Sequence, residues 1–149
     1  MKKNNILDEI TNDLNELRKS GNYSSKNIEI IKYNKLIAKF IGDKKFWLLL
    51  ERLEGIYPNF NGTYYQSGDD RTIDNPLKEE DVIQHKACFH YSWDWLMPAV
   101  AKAIKLAEEK NIDYDKSILK KSLCTAKIDI VYIAVLHFIK WYNEKLKTL

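Results

Sequence analysis

Five glycines, three prolines and two cysteines are all that this 149-residue chain contains of the residues that shape irregular or cross-linked folds. The scarcity of glycine leaves little for the backbone nests that cradle phosphates. No Gly-rich phosphate loop, Gly-x-Ser-x-Gly turn or His-Glu-x-x-His helix occurs. Cys88 and Cys124 stand thirty-six positions apart with no pairing pattern, and no secretory segment follows Met1-Lys2-Lys3-Asn4-Asn5. Both features predict free thiols in a reducing cytosol. The longest apolar run, Ile130 to Leu136, is far short of the roughly 20 residues a membrane helix needs. The expectation is a soluble, cytoplasmic protein.

What the chain does contain is ordinary globular material, 45% hydrophobic and 30% charged. The length suits one domain spanning 1–149, able to bury roughly 68–70% of its unfolded surface without staples. Aromatic content is 12%, with nine Tyr and four Trp, and any surplus left at the surface marks an interface. The net charge of +3 is uneven. Residues 56–95 carry three basic and seven acidic side chains, whereas residues 96–149 carry ten and six. A basic face opposite an acidic loop follows, and a nucleic-acid footprint is one reading of it. A solvated set of lysines is the plainer one.

Periodicity predicts an amphipathic helix over 4–20, with Ile6, Leu7, Ile10, Leu14 and Leu17 on one narrow stripe. The segment 1–21 is therefore peripheral, or reserved for a partner. A second helix is predicted from Ile28 to Ile41, with Tyr33, Leu36, Ile37, Phe40 and Ile41 inward and Lys32, Lys35 and Lys39 outward. Gly42 suits its stop. A third runs from Lys44 to Glu54, with Asp43 as its cap. Asn61-Gly62 among Tyr57, Phe60, Tyr64 and Tyr65 signals a hairpin. Val82 to Tyr91 alternates as a strand does. Ser92 or Asp94 then opens a helix through Lys110, and residues 111–124 are ambiguous between helix and strand. From about Ala126 to Leu146 the chain is apolar almost all round, which makes it the centre of the core or half of a homodimer seam. These elements predict an α+β fold in which four to five helices, the first amphipathic and the last buried, pack a small antiparallel sheet.

No candidate for chemistry is well formed. His85, Cys88 and His90 are the nearest approach to a metal cluster, but a strand splits them between two faces and no fourth ligand is near. Asp70, Thr72, Asp74 and Asp81 match positions of a calcium loop, with Asn75 where the obligatory glycine belongs. His137 reads as a satisfied core histidine. The expectation is no catalytic residue, no metal and no cofactor. Trp93-Asp94-Trp95 is the most distinctive local feature. The Asp can cap while both indoles pack, or the indoles can stack on a base or a partner. Trp141-Tyr142 has the same two readings. The interaction surface expected from sequence is thus Trp93, Asp94, Trp95, Lys32, Lys35, Lys39, Trp141 and Tyr142.

Three segments also carry a resemblance. Asn34-Lys35-Leu36-Ile37-Ala38 ahead of Phe40-Ile41-Gly42, then Tyr91-Ser92-Trp93-Asp94-Trp95-Leu96-Met97-Pro98, then Phe138-Ile139-Lys140-Trp141-Tyr142-Asn143 occur in that order. Together they cover about a quarter of the chain, and they resemble recurrent motifs of small uncharacterised phage and prophage proteins of an α/β-sandwich type. The resemblance implies helices packed on a small sheet and brings no catalytic residues. The helix through Gly21 and the segment Phe46–Glu54 are additions to that pattern, and the β-region between the last two helices is shortened. By analogy it implies a phage-derived accessory protein that binds a host macromolecule, foremost a stoichiometric anti-CRISPR-like inhibitor of a bacterial defence effector. A nucleic-acid binding module is the second class, and an enzyme of unknown class the third.

Overall fold

Helices dominate the molecule, and the reason lies in its longest apolar segment. The computed structural model describes residues 2–58, 63–66, 77–109 and 113–147. In it α7, Ile128–Lys147, buries nine consecutive residues from Val131 to Ile139. A helix buried on every side needs neighbours on every side, because its backbone bonds are internal while its side chains all require apolar cover. Four helices supply that cover: α1 (Lys2–Lys19), α2 (Ile28–Ile41), α5 (Trp93–Glu109) and α6 (Ser117–Cys124) all pack on α7. The chain's own elements cover most of that stretch, which makes it the centre of the core.

Helix α1 is part of this core, since Ile10 and Leu14 have no exposed surface. It is locked to α7 by the Arg18–Asp129 ion pair at 3.2 Å, with the guanidinium also 4.8 Å above the Tyr23 ring. Helix α2 starts where Asn27 Oδ1 accepts from the backbone N–H groups of Glu29 (2.9 Å) and Ile30 (3.4 Å), satisfying two donors that a first turn leaves unpaired. It stops at Gly42, whose φ of 91° only glycine adopts without strain. The same glycine, not Asp43, occupies the cap position of α3 (Asp43–Glu54), and Asp43 lies in its first turn. Lys102 of α5 donates to the Phe40 carbonyl at the end of α2 and lies over the Phe40 ring, placing a cation at the negative pole of that helix.

The sheet is far smaller than the sequence pattern led us to expect. Seven helices hold 74% of the described residues, against one two-stranded antiparallel ribbon. Its strands are β1 (Ile56–Pro58) and β2 (Tyr64–Gln66), paired Tyr57 to Tyr65, with Leu77 bridging the far side of Tyr64. The expected hairpin is there, while Asn61-Gly62 lies outside the described residues. The expected α+β class, with four to five helices on a sheet, is overturned. So is the sandwich that the phage-type resemblance implies.

The error began at Val82–Tyr91. That segment is no strand: α4 (Glu79–His85) is followed by turns through Tyr91. Glu79, Glu80 and Asp81 fill its first turn, where the helix dipole favours negative charge. Val82 and Ile83, adjacent in sequence, are both buried, which a one-sided strand forbids. The ambiguous 111–124 segment resolves in part as α6.

Candidate functional site

Two regions gather side chains capable of more than filling space. The first is a buried polar node where α2, the turn after α4 and α7 meet. Asn34, on the inner stripe of α2, donates through Nδ2 to the Ala87 carbonyl (3.1 Å) and to His90 Nδ1 (3.2 Å). Its Oδ1 accepts from the Tyr132 hydroxyl (2.8 Å). The Ala87 carbonyl requires a donor, so the amide orientation is fixed, and His90 Nδ1 must then be the unprotonated nitrogen. His90 Nε2 consequently carries the proton and faces Ser25 Oγ at 3.5 Å. Tyr23 donates to the His90 carbonyl (3.2 Å). Burial pushes the His90 imidazole down to about 4, so it is neutral at physiological pH.

Ser25, His90 and Asn34 thus make a chain of side chains that looks like a nucleophile, a base and an orienting amide. The protons run the wrong way for that use. A general base must present a lone pair to the hydroxyl it activates, whereas here imidazole Nε2–H points at Ser25. Nearby, Cys88 Sγ lies 2.9 Å from Tyr91 Oη, and burial raises its pKa above the ordinary thiol value, away from a reactive thiolate. The node therefore ties α2 to α7. His137 has a similar setting, buried on α7 with Nδ1 2.6 Å from Tyr114 Oη.

No group of three or more His, Cys, Asp or Glu that could hold a metal exists among the described residues. Asp70, Thr72 and Asp74 lie outside those residues, and Asp81 is on α4.

The second region is a cleft of about 560 Å³ between α3, β1 and α5, lined by Lys45, Leu48, Leu49, Glu51, Arg52, Tyr57 and Pro98. Of its lining, Leu48 is the large apolar side chain turned to solvent; Trp47 on α3 and Trp93 and Met97 on α5 are also exposed, on the same two helices but outside the lining. Leu48 is 52% exposed. Isolated exposed apolar residues are commonplace, but several large ones on the two helices that border a cleft mark a contact surface. Trp47 is held in place by its indole N–H, which donates to the Tyr64 hydroxyl (3.2 Å). Tyr57 stacks on Tyr65 across the ribbon at 5.4 Å. Beneath, Phe46, Phe89 and Trp95 pack ring on ring.

The surface expected from sequence is divided by this arrangement. Trp93 is 38% exposed and Asp94 is exposed in the first turn of α5, while Trp95 is 2% exposed and belongs to the core. Ser92 directly precedes that helix and its carbonyl accepts from the Leu96 N–H. Trp141 and Tyr142 are half-buried, packed on Tyr114 (5.0 Å) and Phe138 (5.6 Å) respectively. Lys32, Lys35 and Lys39 do face solvent on α2, but among acids. Lys32 pairs with Glu29 and Lys35 with Glu80, and Lys39 shares one hollow with Asp43, Glu79 and Glu80. That alternation neutralises much of the field a phosphate backbone would need.

Sequence reasoning passed over Trp47, Leu48, Met97 and the node. The signal for the first two was present. Five consecutive apolar residues, Phe46 to Leu50, go right round a helix, so a helix here forces some of them outward. Asn34, three and four positions from Ile37 and Ile30, sits in the apolar stripe of α2, and a polar residue there announces a buried bond.

No helix among the described residues is long and apolar enough to cross a membrane. The fold and these two regions define a helical protein with a solvent-facing cleft of mixed apolar and charged lining. No family model, curated protein or solved structure matches the chain.

Proposed function

We propose that this chain is a non-catalytic binding protein whose partner is a macromolecule seated on the α3–β1–α5 cleft. The observation that carries this reading is the set of large apolar side chains left in water on α3 and α5, the two helices that border that cleft, with Leu48 inside it. Exposing Trp47, Leu48, Trp93 and Met97 to solvent forgoes burial free energy of about 25 cal/mol per Å² of apolar surface, which a bound partner restores. Trp is also the residue most enriched among those that dominate binding free energy. The wrong-way proton at His90 favours contact over catalysis.

The biological setting we propose is that of the motif resemblance. The protein is phage-derived and acts in the cytoplasm of a bacterial host, with a defence effector of the CRISPR type as partner and stoichiometric occlusion as mechanism. Segment Phe46–Glu54, additional to the phage-type pattern, supplies one wall of the cleft, so the addition and the contact surface coincide.

Affinity capture from phage-sensitive bacterial cells, run with and without nuclease, tests this. The expected result is a protein partner in stoichiometric yield that survives nuclease and disappears with a Leu48→Ser, Trp93→Ala double variant. Absence of such a partner, or one lost on nuclease treatment, counts against it.

A further inference from the structure

Resting on that reading, we infer that the segment docking in the α3–β1–α5 cleft is an acidic stretch of protein. It carries two carboxylates about 10 Å apart that bracket an apolar anchor. The inference comes from the order of side chains along the cleft wall of α3. Lys45, Leu48, Leu49 and Arg52 are spaced by three, one and three residues, so they form one stripe of a helix. The stripe reads cation, apolar, apolar, cation, and its charged ends are seven residues apart, about 10 Å along the axis. Leu49 is buried and forms the floor, while Leu48 stands half out of it.

Neither Lys45 nor Arg52 has an ion pair among the described residues, in contrast to Arg18, Lys32, Lys35 and Lys120, which all do. Two unpaired cations at the ends of an apolar trough make a charge pattern that an acid–apolar–acid segment complements. Charge placed this way sets register and speeds encounter. In an extended segment residues two or four apart share a face and stand about 7 or 13 Å apart, so the long Lys45 and Arg52 side chains reach both acids of such a pair.

A nucleic acid fits the same wall less well. Tracking phosphates takes a continuous basic groove, and proteins that do so commonly neutralise about 6–10 of them. This wall has two cations. Tyr57 is stacked on Tyr65, and Trp47 is tethered to Tyr64, which restricts both rings as platforms for bases.

The test is selection of a displayed random dodecapeptide library on the full chain, repeated on K45E/R52E and on Leu48→Ser. All three substituted positions are solvent-facing, and a thermal melt confirms that each variant folds. The expected result is enrichment of peptides with two Asp or Glu two or four positions apart around Leu, Phe or Trp. Their affinity should drop at least tenfold on either variant. Apolar peptides without acids that still require Leu48 would leave the contact surface standing and sink the acidic class. Enrichment of nothing, or of the same peptides on all three proteins, would sink both. Binding of a labelled 20-nucleotide oligothymidine that K45E/R52E abolishes would overturn the inference in favour of a nucleic-acid partner.

Discussion

The buried node and the exposed cleft use their polar and apolar groups in opposite ways. At Asn34 polar atoms lie where water is absent, and every one of them has a partner: Ala87 O, His90 Nδ1 and the Tyr132 hydroxyl. At the cleft apolar side chains lie where water is present, beside Lys45 and Arg52, which have no ion pair among the described residues. A buried polar atom is tolerated only when bonded, because its desolvation is otherwise uncompensated. An exposed indole costs the fold little. The first region is thus answerable to stability and the second is free to serve binding, and the two should separate under mutation.

The widest separation is expected within a single tripeptide. Trp95→Ala removes a buried ring from contact with Phe46 and Phe89 and should cost about 3–5 kcal/mol in urea denaturation. Trp93→Ala, two residues earlier, should cost under about 1 kcal/mol while abolishing partner capture. Equal losses from both would erase the distinction between floor and surface.

Asn34→Ala comes next. It strands the Tyr132 hydroxyl, the Ala87 carbonyl and His90 Nδ1, and should lower stability by about 3 kcal/mol in the same assay. Tyr132→Phe leaves only Asn34 Oδ1 unpaired and should cost about 1–2 kcal/mol.

The node should also impose a pH dependence. The folded His90 pKa of about 4 lies below the ordinary 6.5, so between those values the unfolded chain binds more protons. Stability is therefore complete above about pH 6.5 and declines as pH falls toward 4. His90→Gln should flatten the slope of unfolding free energy against pH in that window. An unchanged slope would show that other groups set it. The smallest effect belongs to Leu48→Ser, which should move stability by about 0.5 kcal/mol or less and register only in binding.

Much of the fold was legible because it is written in helical period. The spacing of Tyr33, Leu36, Ile37, Phe40 and Ile41 gave α2 from about Ile28 to Ile41, and the run from Ile130 to Leu136, continued past His137 by Phe138 and Ile139, gave a buried α7. Val82–Tyr91 misled because a short alternating run does not distinguish a strand from one helical turn followed by a plug of buried residues. Ala87 and Phe89 are core without belonging to any regular element. The three acids before Val82 were the better guide. At the cleft, exposure depends on which neighbours happen to cover a helix, and no local pattern encodes that. Trp93 and Trp95 are the same residue type two positions apart, and only the tertiary fold assigns one to water and the other to the core.

One consequence of α7 concerns the making of the protein. The helices that enclose it, α1, α2, α5 and α6, all precede it in the chain, so during synthesis each waits with its sticky side uncovered for an axle that arrives after them. A version cut short before Ile128 would be a collection of spokes without a hub, prone to clump, and assembly must proceed by long-range capture once α7 has emerged.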